Sequence, residues 1–312
     1  MRTWRLLVGF GVGVSSVGLW SALPAHAEEP VKPVEAAKPA AKPTAPSKAA
    51  AKPKCKSGMV GIPAGTFTMG DDMNTEKAGT VHVDAFCMDR SEVTVSAYKV
   101  CVESGNCTAV IDFGILGHEH DGPRKQLQGR NAPNSFTTTD ANNSYRAYDS
   151  PFNECNAGVT GLGNHPINCV RYDQAMAYCQ AQGQGLPTEE QWEYAARGTD
   201  GRLYPWGNAE PTNQECGGRN GRAGTSKPPG HTGFIQTCAV ASYPAGNSPF
   251  GLADMAGNVA EWTSSGYDDQ WVVIRGDRDG SKMSLRSAFR AGGNPRGHSF
   301  HLGFRCAGSP LP

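Results

Sequence analysis

The chain has 312 residues, 29 basic and 29 acidic, so its formal net charge is zero, and it carries 39 glycines, 22 prolines and 10 cysteines. A balanced charge argues against nucleic acid or an anionic membrane as the main partner. Glycine well above the average usage of about 7% argues for a loop-rich fold rather than a helical bundle.

Met1–Ala27 reads as a secretory signal peptide: Arg2 and Arg5 open it, Leu6–Leu19 is mostly apolar, and Ala25-His26-Ala27 fits the small-x-small cleavage rule. An uncleaved membrane anchor is the competing reading; the glycine and serine breaks, Pro24 and the A-x-A ending favour cleavage. The first cysteine is Cys55 and the arginines are not adjacent, so neither a lipid anchor at the cleavage site nor a twin-arginine signal is expected. An even cysteine count downstream of such a signal implies disulfides in an oxidising compartment, with pairings that composition does not fix. No C-x-x-C occurs, which removes the usual thioredoxin-like couple and zinc ribbon.

Residues 28–54 are a Pro/Ala/Lys spacer with almost nothing to bury, hence an extended, disordered linker. Its lysines could meet an anionic envelope polymer; a passive linker is the simpler reading. Residues 55–312 then form one domain. Gly61–Met69 and Val81–Met88 alternate as paired strands do. Val93–Val102 has near-helical apolar spacing that stops at Ser104-Gly105-Asn106, with Cys101 and Cys107 flanking the stop. Residues 108–163 read as a long surface insertion, in which His118-Glu119-His120-Asp121 is a weak metal candidate. Asp173–Ala181 is predicted helical. A second helix follows Pro187, with Thr188 as cap and Gln191 closing a capping box. Tyr204–Asn208 is an aromatic turn, and Cys216 and Cys238 are a candidate bridge. Trp271–Arg275 reads as a strand, with Ser284–Arg290 and Gly303–Ala307 returning to the same sheet.

The stretch Gly251–Trp262, GLADMAGNVAEW, sets two carboxylates, Asp254 and Glu261, in an otherwise apolar run punctuated by Gly251 and Gly257. Glycine frees the backbone to turn carbonyls toward one centre, and carboxylates plus carbonyls make an oxygen cage suited to a hard cation such as calcium. The simpler reading of the residues alone is a tight loop whose acids cap backbone N–H groups while Trp262 fills the core.

This stretch resembles the signature of the sulfatase-modifying-factor, or formylglycine-generating-enzyme, family. IPAGTFTMG at 62–70, DRSEVTVSAY at 89–98, NHPINCVRYDQAMAYC at 164–179, GLPTEEQWEYAARG at 185–198, YPWGN at 204–208 and HLGFRCA at 301–307 follow in that family's order. The resemblance implies an α+β, elaborated C-type-lectin-like fold with little regular structure, stabilised by calcium and disulfides. It implies a bridge between Cys179 and Cys306, and maps a second family bridge onto Ala196 and Ser287, where both cysteines are lost. One calcium would use the side chains of Asp254 and Glu261 and the carbonyls of Gly257 and Val259. A weaker second site would use Asn213, Gln214, Thr232 and Phe234, with Thr232 replacing an acidic ligand.

Active members of the family bind copper through a cysteine pair that oxidises a substrate cysteine, chemistry that needs soft thiolates. Here the interval before Cys306 holds no cysteine back to Cys238, and the two positions fall on or near Asp277 and Lys282. No copper is therefore expected. His298 and His301 lie beside those positions and are weak candidates for a metal or proton-transfer site. No G-x-S-x-G, P-loop or H-E-x-x-H occurs, and the iron-binding helical domain of the family's sulfoxide-forming enzymes has no counterpart. The sequence thus reads as an exported binding or accessory module of the cell envelope, periplasmic or extracellular. Its expected partner is a protein or peptide, and it is not an integral membrane protein after cleavage. Two other roles are compatible with the residues: an oxidase or maturation enzyme acting on a secreted peptide or protein through a noncysteine site, and a purely structural envelope protein. Amino-terminal sequencing of exported material is expected to begin at Glu28; retention of Met1–Ala27 in the membrane fraction would refute the cleavage reading.

Overall fold

A computed structural model describes residues 51–71, 78–110, 155–217, 237–277 and 281–312. Met1–Ser47 is a unit of its own, outside the described residues, and Lys48–Pro312 is one compact unit. The signal peptide, most of the spacer and His118–Asp121 therefore lie outside the described residues. Thr232 and Phe234 lie outside them too.

Each of the first two alternating regions is broken into two short strands. β1 (Met59–Ile62) pairs antiparallel with β4 (Phe86–Asp89), and β2 (Gly65–Met69) pairs with β3 (Gly79–Val83), one hairpin nested in the other. α1 (Val95–Glu103) begins at Thr94, whose hydroxyl accepts from the Ala97 N–H, and the Cys101–Cys107 disulfide closes the turn beyond it. α2 (Tyr172–Ala181) buries Tyr178 and Cys179. α3 (Glu189–Arg197) starts in the expected capping box: Thr188 accepts from the Gln191 N–H while the Gln191 side chain accepts from the Thr188 N–H.

The second sheet has the order β7-β6-β5-β8, formed by β5 (Ala260–Gly266), β6 (Val272–Arg275), β7 (Arg290–Gly293) and β8 (Leu302–Gly303), with β8 parallel to β5. Two expectations change here. Residues 281–289 form turns, and only Arg290 enters a strand. The C-terminal return splits, because β9 (Ala307–Gly308) leaves this sheet and pairs with β4 in the first one. Ser284, Leu285, Ser287, Ala288 and Phe289 are all buried, so the segment lacks the in-and-out alternation of a half-exposed strand.

β5 is buried on both faces over Ala260–Thr263. Successive side chains point oppositely, so Glu261 meets α3, where the Trp192 indole N–H reaches it, while the Trp262 indole donates to the Val170 carbonyl on the other side. Trp262 sits against Gly293; a Cβ there would come within 2.6 Å of the indole, so this strand position requires glycine. One apolar cluster gathers α1, α2, Trp262 and Phe304, and a second gathers β1–β4, Trp192 and Met255.

All ten cysteines are paired, as Cys55–Cys87, Cys101–Cys107, Cys155–Cys169, Cys179–Cys306 and Cys216–Cys238. Five disulfides are a pattern favoured in oxidising compartments over the cytoplasm. Among the described residues, no helix is long and apolar enough to cross a membrane. Cys179–Cys306 spans 127 residues and ties α2 to the segment between the sheets. Replacing both with serine is expected to cost about 2–5 kcal/mol in a denaturant titration; an unchanged midpoint would show that this cross-link is not limiting.

Candidate functional site

Gly251–Trp262 does wrap a cation, and that cation is the guanidinium of Arg305. Gly251, Asp254, Gly257 and Asn258 all take positive φ, which folds this run into a tight irregular loop. Arg305, with no exposed surface, lies inside it. Its Nη2 donates to the carbonyls of Ala253 and Asp254 at 2.9 and 3.1 Å and to Glu261 Oε1 at 2.7 Å. Its Nη1 reaches the carbonyls of Asp89 and Arg90, both at 3.3 Å, and its Nε bridges both Glu261 oxygens at 3.0 and 2.8 Å. The Trp192 indole adds a further donor to Glu261 Oε2 at 2.8 Å. Burial works against the guanidinium's charge, but the attraction of Glu261, and then of Glu92 and Asp254, holds its pKa above the ordinary arginine value.

Four carboxyl groups, those of Asp89, Glu92, Asp254 and Glu261, surround this one guanidinium. Burial pushes Asp89 up to about 6, although the Cys306 N–H, 2.9 Å from its Oδ2, favours the carboxylate. Burial and then the charge of Asp254 raise Glu92 well above its usual range. Burial also raises Asp254, opposed by the Ala241 N–H at 2.6 Å from its Oδ2. Glu92 was not singled out from the sequence as a site residue, nor was Arg305. Both lie inside quoted motifs, DRSEVTVSAY and HLGFRCA, but a lone acid and a lone arginine carry no signal of their mutual contact.

The residues assigned to calcium have the following surroundings. Asp254 lies at the cage, as does Glu261, but both Glu261 oxygens are taken by Arg305 and Trp192. Gly257 is hemmed in by the Cys216 carbonyl and the Glu215 carboxylate, 2.9 and 3.0 Å from where a Cβ would stand. The backbone of Val259 precedes β5 and is buried. At the second assigned site, the Gln214 side chain accepts from the Thr212 and Asn213 N–H groups, and its carbonyl lies against Gly246.

The positions expected to replace the copper cysteines differ in exposure. Asp277 is buried and its carbonyl accepts from the Gly257 N–H, whereas Lys282 is exposed and pairs with Glu210 at 2.6 Å. Ala196 and Ser287 are both buried without a cross-link. His298 and His301 share the turn before β8, both half-buried, with the His301 ring against Phe300. Among the described residues no three histidine, cysteine or acidic side chains form a metal-holding group.

The "Sulfatase-modifying factor enzyme 1-like domain" family matches residues 44–310. The chain belongs to this family. Mouse "Formylglycine-generating enzyme" is 32% identical over 292 residues, covering 81% of this chain and 76% of the relative. Mouse "Inactive C-alpha-formylglycine-generating enzyme 2" is also 32% identical, over 272 residues, covering 80% of this chain and 85% of the relative. Among solved structures, PvdO from Pseudomonas aeruginosa matches with a TM-score of 0.54 at 22% identity, covering 85% of this chain and all of that one. The fold of this sulfatase-modifying-factor domain is therefore the family's elaborated C-type-lectin-like α+β fold.

The sulfatase-modifying-factor domain thus encloses a cation of its own, and the pairing should be sensitive to the shape of that cation. Lysine has one charged centre and cannot make the forked contact with Glu261. Arg305→Lys is expected to lose about 3–5 kcal/mol in urea unfolding; a loss below about 1 kcal/mol would mean that the cage does not depend on the guanidinium.

Proposed function

We propose that this domain is an exported binding or accessory module of the cell envelope that does not make formylglycine. The observation that carries the reading is the cysteine pairing. Every cysteine is tied in a disulfide, and the interval where the family's copper pair falls offers Asp277 and Lys282 instead. Monovalent copper takes soft thiolates; an aspartate is a hard donor, and a protonated lysine repels a cation. An inactive relative of comparable coverage makes loss of chemistry on this fold a known outcome.

The domain keeps the rigid core while its described surface is largely loop, an arrangement suited to presenting side chains to a protein or peptide. Export is supported by the amino-terminal apolar run and by the five disulfides. A structural cation on the Gly251–Trp262 loop belongs to the same reading. His298 and His301 would need further ligands to make a redox centre, and none join them among the described residues.

Purified protein supplied with copper, oxygen, reductant and a C-x-P-x-R peptide is expected to leave the peptide cysteine unchanged by mass spectrometry. Copper-dependent conversion of that cysteine to the aldehyde would overturn the binding-module reading.

A further inference from the structure

We propose that the outer edge of β3 is a self-association surface, where two copies of this domain pair strand to strand, antiparallel about a twofold axis through Val81. A closed contact of this kind uses the same patch on both copies. The inference goes beyond the binding-module reading and stands independently of it.

The other strands have something against them. Ala307 of β9 exchanges two backbone hydrogen bonds with Gly185, each 2.8 Å long. Beyond β8, the Phe304 carbonyl accepts from the Val93 N–H, and the Ile167 carbonyl stands 2.6 Å from where a Cβ on Gly303 would lie. β7 is buried throughout, with the Tyr267 ring against Gly292, and the Pro53 backbone lies against β1 at Gly61. α3 holds β2 and its end: Arg197 donates to the Thr68 and Gly70 carbonyls, and the Gly70 N–H donates to Glu193.

β3 differs. It pairs with β2 alone, and no backbone hydrogen bond outside that ladder involves Gly79–Val83 among the described residues. Gly79, Thr80 and His82 are exposed, and a Cβ on Gly79 would meet open space. Proteins protect such edges with charged residues, proline or bulges. Gly79–Val83 contains no lysine, arginine, acid or proline, and its register with β2 runs unbroken. Thr80, Val81 and Val83 are β-branched and suit a pleated pair.

The occupant that fits is a second copy, because the strand complements itself. Antiparallel pairing about Val81 sets Thr80 opposite His82 of the second copy, Gly79 opposite Val83 and Asp84 opposite Ala78, so like charges do not meet. The fold already makes this threonine–histidine pair on the inner side of β3: Thr66 is the register partner of His82, and its hydroxyl lies 3.2 Å from the His82 Nδ1. On the other face Val81 and Val83 pack with Phe67 and Met69, and the pairing brings the two copies' apolar layers edge to edge. A shift of one residue would set valines against threonine and histidine. A ladder this short buries well under the roughly 1,200 Å² of a stable interface, so the dimer is weak and concentration-dependent.

Sedimentation velocity of the full exported chain, from about 1 μM to about 1 mM, is expected to show monomer passing reversibly into dimer. Thr80→Lys/His82→Lys sets lysine opposite lysine at both symmetric pairs and should weaken the dimer about tenfold or more. Thr80→Lys/His82→Glu sets lysine opposite glutamate in the same register and should associate within about threefold of wild type, or more tightly. A monomer at every concentration overturns the proposal and leaves the edge to an extended segment of a different protein. Undiminished dimerisation of the double-lysine variant places the contact elsewhere, and failure of the lysine–glutamate variant to recover rejects the Val81-centred pairing. Both positions are exposed, so each variant is expected to melt near wild type. Should either unfold, hydrogen exchange of the wild type decides: backbone amides within Gly79–Val83 should slow as concentration rises, and rates that do not change overturn the proposal.

Discussion

A guanidinium and a carboxylate with no access to water, Arg305 and Glu261, form the contact on which this structure depends. Moving either charge into the interior costs several kcal/mol, which their attraction offsets only when the remaining donors and acceptors are also satisfied. Arg305 meets that condition by reaching the backbone of β4's end, of the segment beyond it and of the Gly251–Trp262 loop, as well as a side chain of β5. The Trp192 indole brings α3 to the same carboxylate. Segments far apart in the chain are thus held in register by one planar group, and each loses a partner if that group leaves.

The same device recurs on the other side of α3. Glu193 accepts from the Gly70 N–H at 2.8 Å, from Arg197 at 3.0 Å and from Arg275 at 2.9 Å, while Glu189 accepts from Arg290 at 3.1 Å. One helix of nine residues therefore anchors the hairpin end and two strands of the larger sheet. In a fold whose strands run from two to seven residues, ladder hydrogen bonds alone leave most of the backbone unorganised. Buried ion pairs and disulfides supply fixed points that regular structure provides elsewhere. Arg290 also lies over the Tyr267 ring at 4.7 Å, extending the network toward the surface.

Conservation of such a core is separable from the chemistry a family member performs. The interval that would carry copper ligands forms turns packed through Leu285 and Phe289, and Arg286 is anchored to Asp71 at 3.0 Å. These contacts hold the segment in place without any thiolate.

Local chemistry was legible from the residues alone. Thr188 and Gln191 specify the start of α3 because a capping box is complete within four residues, and Ser104-Gly105 ends α1 for similarly short-range reasons. The motif order was enough to give the family, and with it the fold. The oxygen-rich character of Gly251–Trp262 was also readable, since positive φ and two acids are properties of the stretch itself. What filled it was not. Glu261 and Arg305 are 44 residues apart, and Glu92 reaches Asp254 from the first sheet region. The turns at 281–289 and the exit of β9 to another sheet were hidden for the same reason. Sequence determines which groups can bind a cation; only tertiary packing decides which are already satisfied, because a buried charge is defined by the partners that the fold brings to it.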